Sequence, residues 1–185
     1  MPPFALEHHQ QTDLHERKKG MAQTFEFTLN GKPVGVALDN EETPLLDVLR
    51  NHLGVTGARF GCGLDQCGCC MVLVDGAPEK SCAKPVWSVA GKAVVTVEGL
   101  GTPQRPHPLQ QALLDEQAGQ CGYCLAGILI SAKALLDRNP QPTRAEIATA
   151  LDGNICRCGA HNRIMRAVEK AAEQMRTAAS AGALP

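Results

Sequence analysis

Nine cysteines stand in this chain of 185 residues, and they are unevenly placed. Cys62, Cys67, Cys69, Cys70 and Cys82 fall in one stretch, and the pairs Cys121-Gly-Tyr-Cys124 and Cys156-Arg-Cys158 follow much later. Thiolates at such density can be crosslinked, can act as nucleophiles, or can converge on a metal. The expected compartment bears on the choice. Residues 1–20 are polar, with His8, His9, His15 and the basic trio Arg17-Lys18-Lys19, and no apolar stretch of the secretory type follows the basic start. A twin-arginine export signal fails as well, because the trio leads into Gln23, Phe25 and Phe27 at strand alternation. No run of about 18 apolar residues offers a transmembrane helix. A cytoplasmic, reducing setting is therefore expected, where clustered cysteines signify metal binding or catalysis more often than disulfides.

The first set reads Cys62-Gly-Leu-Asp-Gln-Cys67-Gly-Cys69-Cys70. Taken as Cys62, Cys67 and Cys70, its spacing C-x4-C-x2-C is that of plant-type two-iron clusters, with Cys82 as the fourth thiolate beyond an Asp75-Gly76 turn. Four thiolates and backbone N–H donors must surround such a cluster, and Gly61, Gly63 and Gly68 let the chain curl closely enough. Ligation through Cys69 would leave C-x4-C-x-C, a poorer match, so Cys69 is read as a small buried filler. Four cysteines can also hold a structural zinc, although zinc sites favour paired C-x2-C units. In the second set each pair sits at the start of an expected helix, where free N–H groups and the helix dipole favour an anionic cluster. Taken alone, that set also allows zinc. A thioredoxin-like pair at Cys121 and Cys124 would need a preceding strand, and the preceding segment reads as helical. Covalent c-type haem is excluded, since Leu125 and Met71, not His, follow the C-x2-C pairs.

The elements that must position these thiols change character along the chain. Residues 24–38 alternate as two strands around Asn30-Gly31, a strong hairpin signal. Thr43-Pro44 opens a short helix with Leu45, Leu46, Val48 and Leu49 as its apolar face. Met71–Val74 and Pro85–Val89 are expected as strands flanking the Asp75-Gly76 turn, and Lys92–Val97 as a last strand. Together these fit a small β-grasp-like α+β unit. Gly and Pro cluster at 99–103, and helical patterning follows. A first helix carries Leu109, Ala112, Leu113 and Ala118, and Cys124–Leu136 is apolar nearly all round, as a buried helix would be. Thr143 and Glu146 form a capping-box signature for a third helix, and a fourth runs from about Asn162 to Met175. Strands first and helices second imply two domains. Charge is nearly balanced, 18 Lys plus Arg against 19 Asp plus Glu, which argues against a nucleic-acid groove or polybasic membrane patch. At 44% hydrophobic the chain is globular, and with only 3% aromatic residues its core must be aliphatic.

With both cysteine sets in view, the chain resembles the small iron–sulfur subunit of the xanthine-oxidase-like molybdenum hydroxylases over roughly residues 24–175. The resemblance is carried by Arg59-Phe-Gly-Cys-Gly-Leu-Asp-Gln-Cys-Gly-Cys-Cys70, Gln120-Cys-Gly-Tyr-Cys124 and Gly153-Asn-Ile-Cys-Arg-Cys-Gly159. His107-Pro-Leu-Gln-Gln and Cys158-Gly-Ala-His161 are most similar to the bacterial nicotinate dehydrogenase and isoquinoline oxidoreductase branch. The departure is Cys69, where the family usually carries Ala.

The fold it implies is α+β: an N-terminal β-grasp plant-type ferredoxin domain (23–99), a linker (100–108) and a C-terminal four-helix-bundle 2Fe-2S domain (109–176), with a disordered extension at 1–22 and a flexible tail at 177–185. It implies one 2Fe-2S cluster on Cys62, Cys67, Cys70 and Cys82 and another on Cys121, Cys124, Cys156 and Cys158. The role implied is electron transfer from a molybdenum–pterin cofactor held mainly by a large catalytic subunit. Gln120 and Cys158 would lie against that cofactor. The onward acceptor would be an FAD subunit or a c-type cytochrome domain, and the substrate an N-heteroaromatic such as nicotinate, or an aldehyde. No catalytic residue is expected in this chain, and no dinucleotide fingerprint is present. A stand-alone ferredoxin-type carrier and a zinc-stapled interaction module are the alternative readings. His161 is expected at a helix end, and Trp87 and Tyr123 in packing.

Overall fold

Asn30 and Gly31 take positive φ angles of 51° and 78°, as the two central residues of a type I′ turn must. In this computed structural model, which describes residues 22–180, the turn joins strand β1 (Gln23–Leu29) to β2 (Lys32–Leu38) in an antiparallel register that sets Gln23 opposite Leu38 and Leu29 opposite Lys32. Period-two alternation then buries Phe25, Phe27, Leu29, Val36 and Leu38 on one face. The expectations for residues 1–21 and 181–185 lie outside the described residues.

Helix α1 (Leu45–Asp47) runs directly into a π-helical turn, Val48–His52, and its expected apolar face of Leu45, Leu46, Val48 and Leu49 is buried. Strand β3 (Met71–Val74) turns at Asp75-Gly76 into β4 (Ala77–Lys80). This corrects the expected partner strand at Pro85–Val89, which is instead a 3₁₀ turn over Val86–Val89. Pro85 has no N–H for a ladder, and the backbone bonds here are made to other loops and locally, from Val86 N–H to Thr43 O and from Ser88 N–H to Pro85 O. The i, i+3 spacing of that turn still buries Val86 and Val89. Strand β5 is also shorter than expected, Ala93–Val95. The Thr96 N–H leaves the ladder to bond Asn30 Oδ1, its hydroxyl bonds Glu98, and the chain turns out through Val97–Gly99. The sheet order is β2-β1-β5-β3-β4, with β5 parallel to β1 and antiparallel to β3.

Four helices follow: α2 (Pro108–Asp115), α3 (Leu125–Arg138), α4 (Arg144–Leu151) and α5 (His161–Ser180). Pro108, assigned above to the linker, is the first residue of α2, and α5 continues past the expected end at Met175 to Ser180. Ile164, Ala167, Val168, Ala171 and Ala172 supply the buried stripe of α5 at helical spacing. Two cores meet at α3. Its Ile128, Ala132, Leu135 and Leu136 face the bundle, and its Ile130 and Ala134 face Met71 and Leu73 of the sheet. Val72 and Val74 point to the opposite core beside α1, so β3 is buried on both sides and reads as the unbroken apolar run Met-Val-Leu-Val. Among the described residues no helix is long and apolar enough to cross a membrane.

Candidate metal centres

The first thiol site is built on the loop between α1 and β3. Arg50 Nη1 donates to the carbonyls of Thr56 and Ala58 at 2.8 and 2.9 Å and so holds the approach to Cys62. Gly63, Asp65 and Gly68 then take φ of 67°, 57° and 70°. This left-handed conformation turns successive N–H groups inward as an anion-binding nest. Leu64, Gln66 and Cys67 N–H groups donate to Cys62 Sγ at 3.3, 3.4 and 3.3 Å, and the Cys62 N–H donates back to Cys67 Sγ at 3.3 Å. The donors, Leu64 first, pull the Cys62 thiol down from 9.0 to about 6. A Cβ on Gly61 would stand 2.5 Å from Cys67 Sγ, so that position admits no side chain.

Cys70 stands in the turn just before β3, and Cys82 lies beyond β4. The Ser81 hydroxyl and N–H both donate to Cys70 O, at 2.7 and 3.2 Å. The orphan N–H groups of α1 hold the same loop from the other side, Leu46 donating to Ser81 O at 3.0 Å and Leu45 to Lys84 O at 2.7 Å. The Cys70 and Cys82 thiols are neighbours, and burial pushes Cys70 up to about 11.

The second site joins two helix starts. Gly122, at φ 76°, bends the chain before Cys124, which is the N-cap of α3; Cys156 and Cys158 precede α5. Cys121 Sγ and Cys158 Sγ lie 3.5 Å apart. Cys124 and Cys156 are the other neighbouring pair, and burial raises Cys124 to about 12. For Cys156, burial pulls upward, but the N–H groups of Ala160, Cys158 and Gly159 and the Cys124 thiol outweigh it, and the net direction is down. The Tyr123 N–H lowers Cys121.

In each site the sulfurs come as two close pairs: Cys62 with Cys67 and Cys70 with Cys82, then Cys121 with Cys158 and Cys124 with Cys156. A single tetrahedral ion draws its ligands to one point, whereas two irons bridged by sulfide take two thiolates each. Among the described residues no three His, Cys, Asp or Glu side chains converge closely enough to hold one ion. Paired thiols, thiolate-stabilising N–H groups and an absence of side-chain bulk fit a two-iron, two-sulfide group.

The ninth thiol faces elsewhere. Cys69 is buried in the helical core with Cys124 and Cys156, while Cys70 belongs to the sheet core. Burial pushes Cys69 up to about 12. Gln120 and Cys158 line one polar hollow of about 570 Å³ with Asn162, Arg163 and Arg166. His161 is the first residue of α5. Trp87 is 49% exposed and donates to Glu42. Tyr123, 45% exposed, donates to Phe60 O at 2.6 Å and lies under Arg59.

Sequence reasoning missed the seam between the two sites. Ile155 N–H donates to Cys67 O at 3.0 Å, and buried Asn154 Nδ2 donates to Gly68 O at 3.3 Å. A Cβ on Gly68 would meet Gly153 O at 2.4 Å, and one on Gly127 would meet Gly68 O at 1.9 Å. The signal available in sequence was the run Gly153-Asn-Ile directly before Cys156, but its partner lies 86 positions away.

The arrangement defines a two-lobed iron–sulfur protein with one centre per lobe. Comparison with known families agrees with each lobe separately: residues 27–92 match the 2Fe-2S iron-sulfur cluster binding domain and residues 96–169 the [2Fe-2S] binding domain. The chain is 49% identical to a nicotinate dehydrogenase subunit of Pseudomonas putida, over 84% of this chain and 99% of that protein. It is also 49% identical to the isoquinoline 1-oxidoreductase alpha subunit of Brevundimonas diminuta, over 81% and 98%. Quinoline 2-oxidoreductase from Pseudomonas putida superposes with a TM-score of 0.81 at 36% identity, over 85% of this chain and 98% of that one. The chain belongs to the family of small 2Fe-2S subunits of the molybdenum hydroxylases. Aldehyde oxidoreductase from Desulfovibrio desulfuricans also superposes at a TM-score of 0.81, but this chain covers only 17% of it. The remainder of that enzyme has no counterpart here, which indicates a large catalytic partner.

Proposed function

We propose that Cys62, Cys67, Cys70 and Cys82 hold one 2Fe-2S cluster and Cys121, Cys124, Cys156 and Cys158 the other. The chain serves as the electron-transfer subunit between a molybdenum–pterin cofactor on the large partner and an onward acceptor. When bound, each cluster supplies a one-electron redox couple. The pairing of the thiols carries the assignment of ligands.

This chain's own residues do three things. The inward N–H groups around Cys62 stabilise thiolate and favour charge on the loop. The buried faces of Cys70 and Cys124 exclude water. The Gly68 seam holds the two sites in a fixed relation without side chains between them. Gln120 and Cys158 present the polar hollow toward the partner's cofactor, with Arg163 and Arg166 on its rim favouring an anionic group. The holoenzyme hydroxylates an N-heteroaromatic such as nicotinate, or oxidises an aldehyde, in the cytoplasm, and passes electrons to an FAD subunit or a c-type cytochrome domain.

Metal analysis and EPR test this reading. Iron and acid-labile sulfide should each reach about four per chain, with two distinguishable signals after reduction, since each site holds one two-iron cluster. Cys70→Ser should remove one signal and Cys124→Ser the other, and either should block turnover with an artificial acceptor. Zinc in place of iron would overturn it.

A further inference from the structure

The side chain of Arg59 reaches from the loop of one centre to the loop of the other. Its backbone stands three residues before Cys62, and its N–H donates to Cys69 O at 3.0 Å, across the loop that carries Cys62 and Cys67. Its guanidinium carbon lies 5.2 Å from the ring centroid of Tyr123, and Tyr123 stands between Cys121 and Cys124 of the second site. That distance is a cation–π contact. The ring is itself held, because the Tyr123 hydroxyl donates to Phe60 O at 2.6 Å. Phe60 in turn lays its ring over Gly63, where a Cβ would stand 2.9 Å from Cζ. Backbone root, aromatic face and adjoining residue are all tied to the two thiol loops, so this cation has a defined place although Arg59 is exposed.

Its charge is not cancelled where it sits. Among the described residues Arg59 takes part in none of the ion pairs. A guanidinium stays protonated at every pH a folded protein meets, so the charge is constant. A two-iron cluster gains one negative charge on reduction, and a fixed cation nearby stabilises the reduced form more than the oxidised one. Net charge is accordingly among the determinants of such a cluster's potential. We propose that Arg59, held in place by Tyr123 as its positioning residue, is a shared electrostatic element that raises the reduction potentials of both centres. One cation acting on both moves the two couples in the same direction, and the energy step between them changes little. The proposal rests on the two-cluster assignment above and extends it to a residue that ligates nothing.

The test is an EPR-monitored redox titration of the purified complex with its catalytic partner, in wild type, Arg59→Lys, Arg59→Gln and Arg59→Glu. All four should keep their iron and both signals. At an applied potential near each wild-type midpoint, Arg59→Gln should lower the ratio of reduced to oxidised cluster about twofold to fivefold at both centres. That is the effect of one partly solvated unit charge, on a scale where tenfold corresponds to about 59 mV for a one-electron couple. Arg59→Glu should lower both ratios further, and Arg59→Lys should hold them above those of Arg59→Gln. This order follows charge, whereas a role in packing alone would place Lys and Gln together. Equal ratios in wild type and Arg59→Gln, a departure from the charge order, or a shift confined to one centre would each overturn the proposal while leaving the two-cluster assignment standing. Loss of iron or of a signal in Arg59→Gln would make Arg59 a structural support and overturn it as well. Wild-type protein without four irons would remove both.

Discussion

Burial and backbone donors sort the nine thiols by what each can do. Cys62 sits among N–H groups and is held near 6, whereas Cys69, Cys70 and Cys124 are raised to about 12, 11 and 12 by burial. Two of the ligand thiols therefore start from opposite preferences, Cys62 drawn toward thiolate by its N–H donors and Cys124 held protonated by burial. The glycines matter as much as the sulfurs. Gly127→Ala would drive a Cβ to 1.9 Å from Gly68 O, and backbone on both sides cannot yield cheaply. A loss of about 1–3 kcal/mol is expected in chemical unfolding, as for other overpacked sites. Gly153→Ala is the control: its Cβ would meet only Lys80 Cε, at 3.9 Å, and should change stability by less than about 0.5 kcal/mol. Equal effects from the two would show that the close approach at Gly68 is not what constrains the seam.

Helix ends show how far local sequence carries at the scale of elements. Thr143 and Glu146 make the expected capping box, with Glu146 N–H to Thr143 Oγ1 at 3.3 Å and Thr143 N–H to Glu146 Oε2 at 2.6 Å. Thr143→Ala should cost about 1 kcal/mol in thermal or denaturant unfolding. The equivalent box on α2 was not legible, because its cap is a histidine: His107 Nδ1 accepts from the Leu109 N–H at 3.2 Å, and Gln110 Oε1 returns a bond to the His107 N–H at 2.8 Å. Burial, with Lys133 adding to it, lowers the His107 pKa from its ordinary 6.5. The unfolded chain therefore takes up this proton first. The stability that neutral His107 contributes is complete above about 6.5 and is lost as pH falls from there through the lowered folded-state value. Protonation of Nδ1 also abolishes the cap. Melting temperature should thus drop between pH 7 and 5 more steeply in wild type than in His107→Asn, which caps without titrating; parallel curves would rule this out. The strand expected at Pro85–Val89 failed for a related reason, since apolar spacing there is satisfied equally by a 3₁₀ turn whose N–H groups bond other loops.

The two lobes share α3, which belongs to the helical core and also covers Met71 and Leu73 of the sheet. Ile155, Asn154 and Tyr123 add hydrogen bonds from the second site's loops to the first. Lobes joined this closely should lose structure together. Calorimetry of the wild-type complex and of Cys70→Ser should show this subunit melting in one transition, displaced downward by loss of the cluster. Two separate transitions in the variant, with the helical lobe unchanged, would mean that the seam transmits no stability.

Sequence by itself determined the inventory: eight spaced thiols in two sets with a ninth beside them, a hairpin at Asn30-Gly31, a change from period two to helical spacing near residue 100, and caps made by residues close in the chain. Each depends on neighbours a few positions apart, and such patterns are written locally. Tertiary structure decided which strand pairs with β3, which core receives Cys69 rather than Cys70, and how near the two centres come. Those depend on backbone meeting backbone at Gly68, Gly127 and Asn154, residues far apart in sequence. A glycine's missing side chain shows its purpose only when the segment that fills the space is in place.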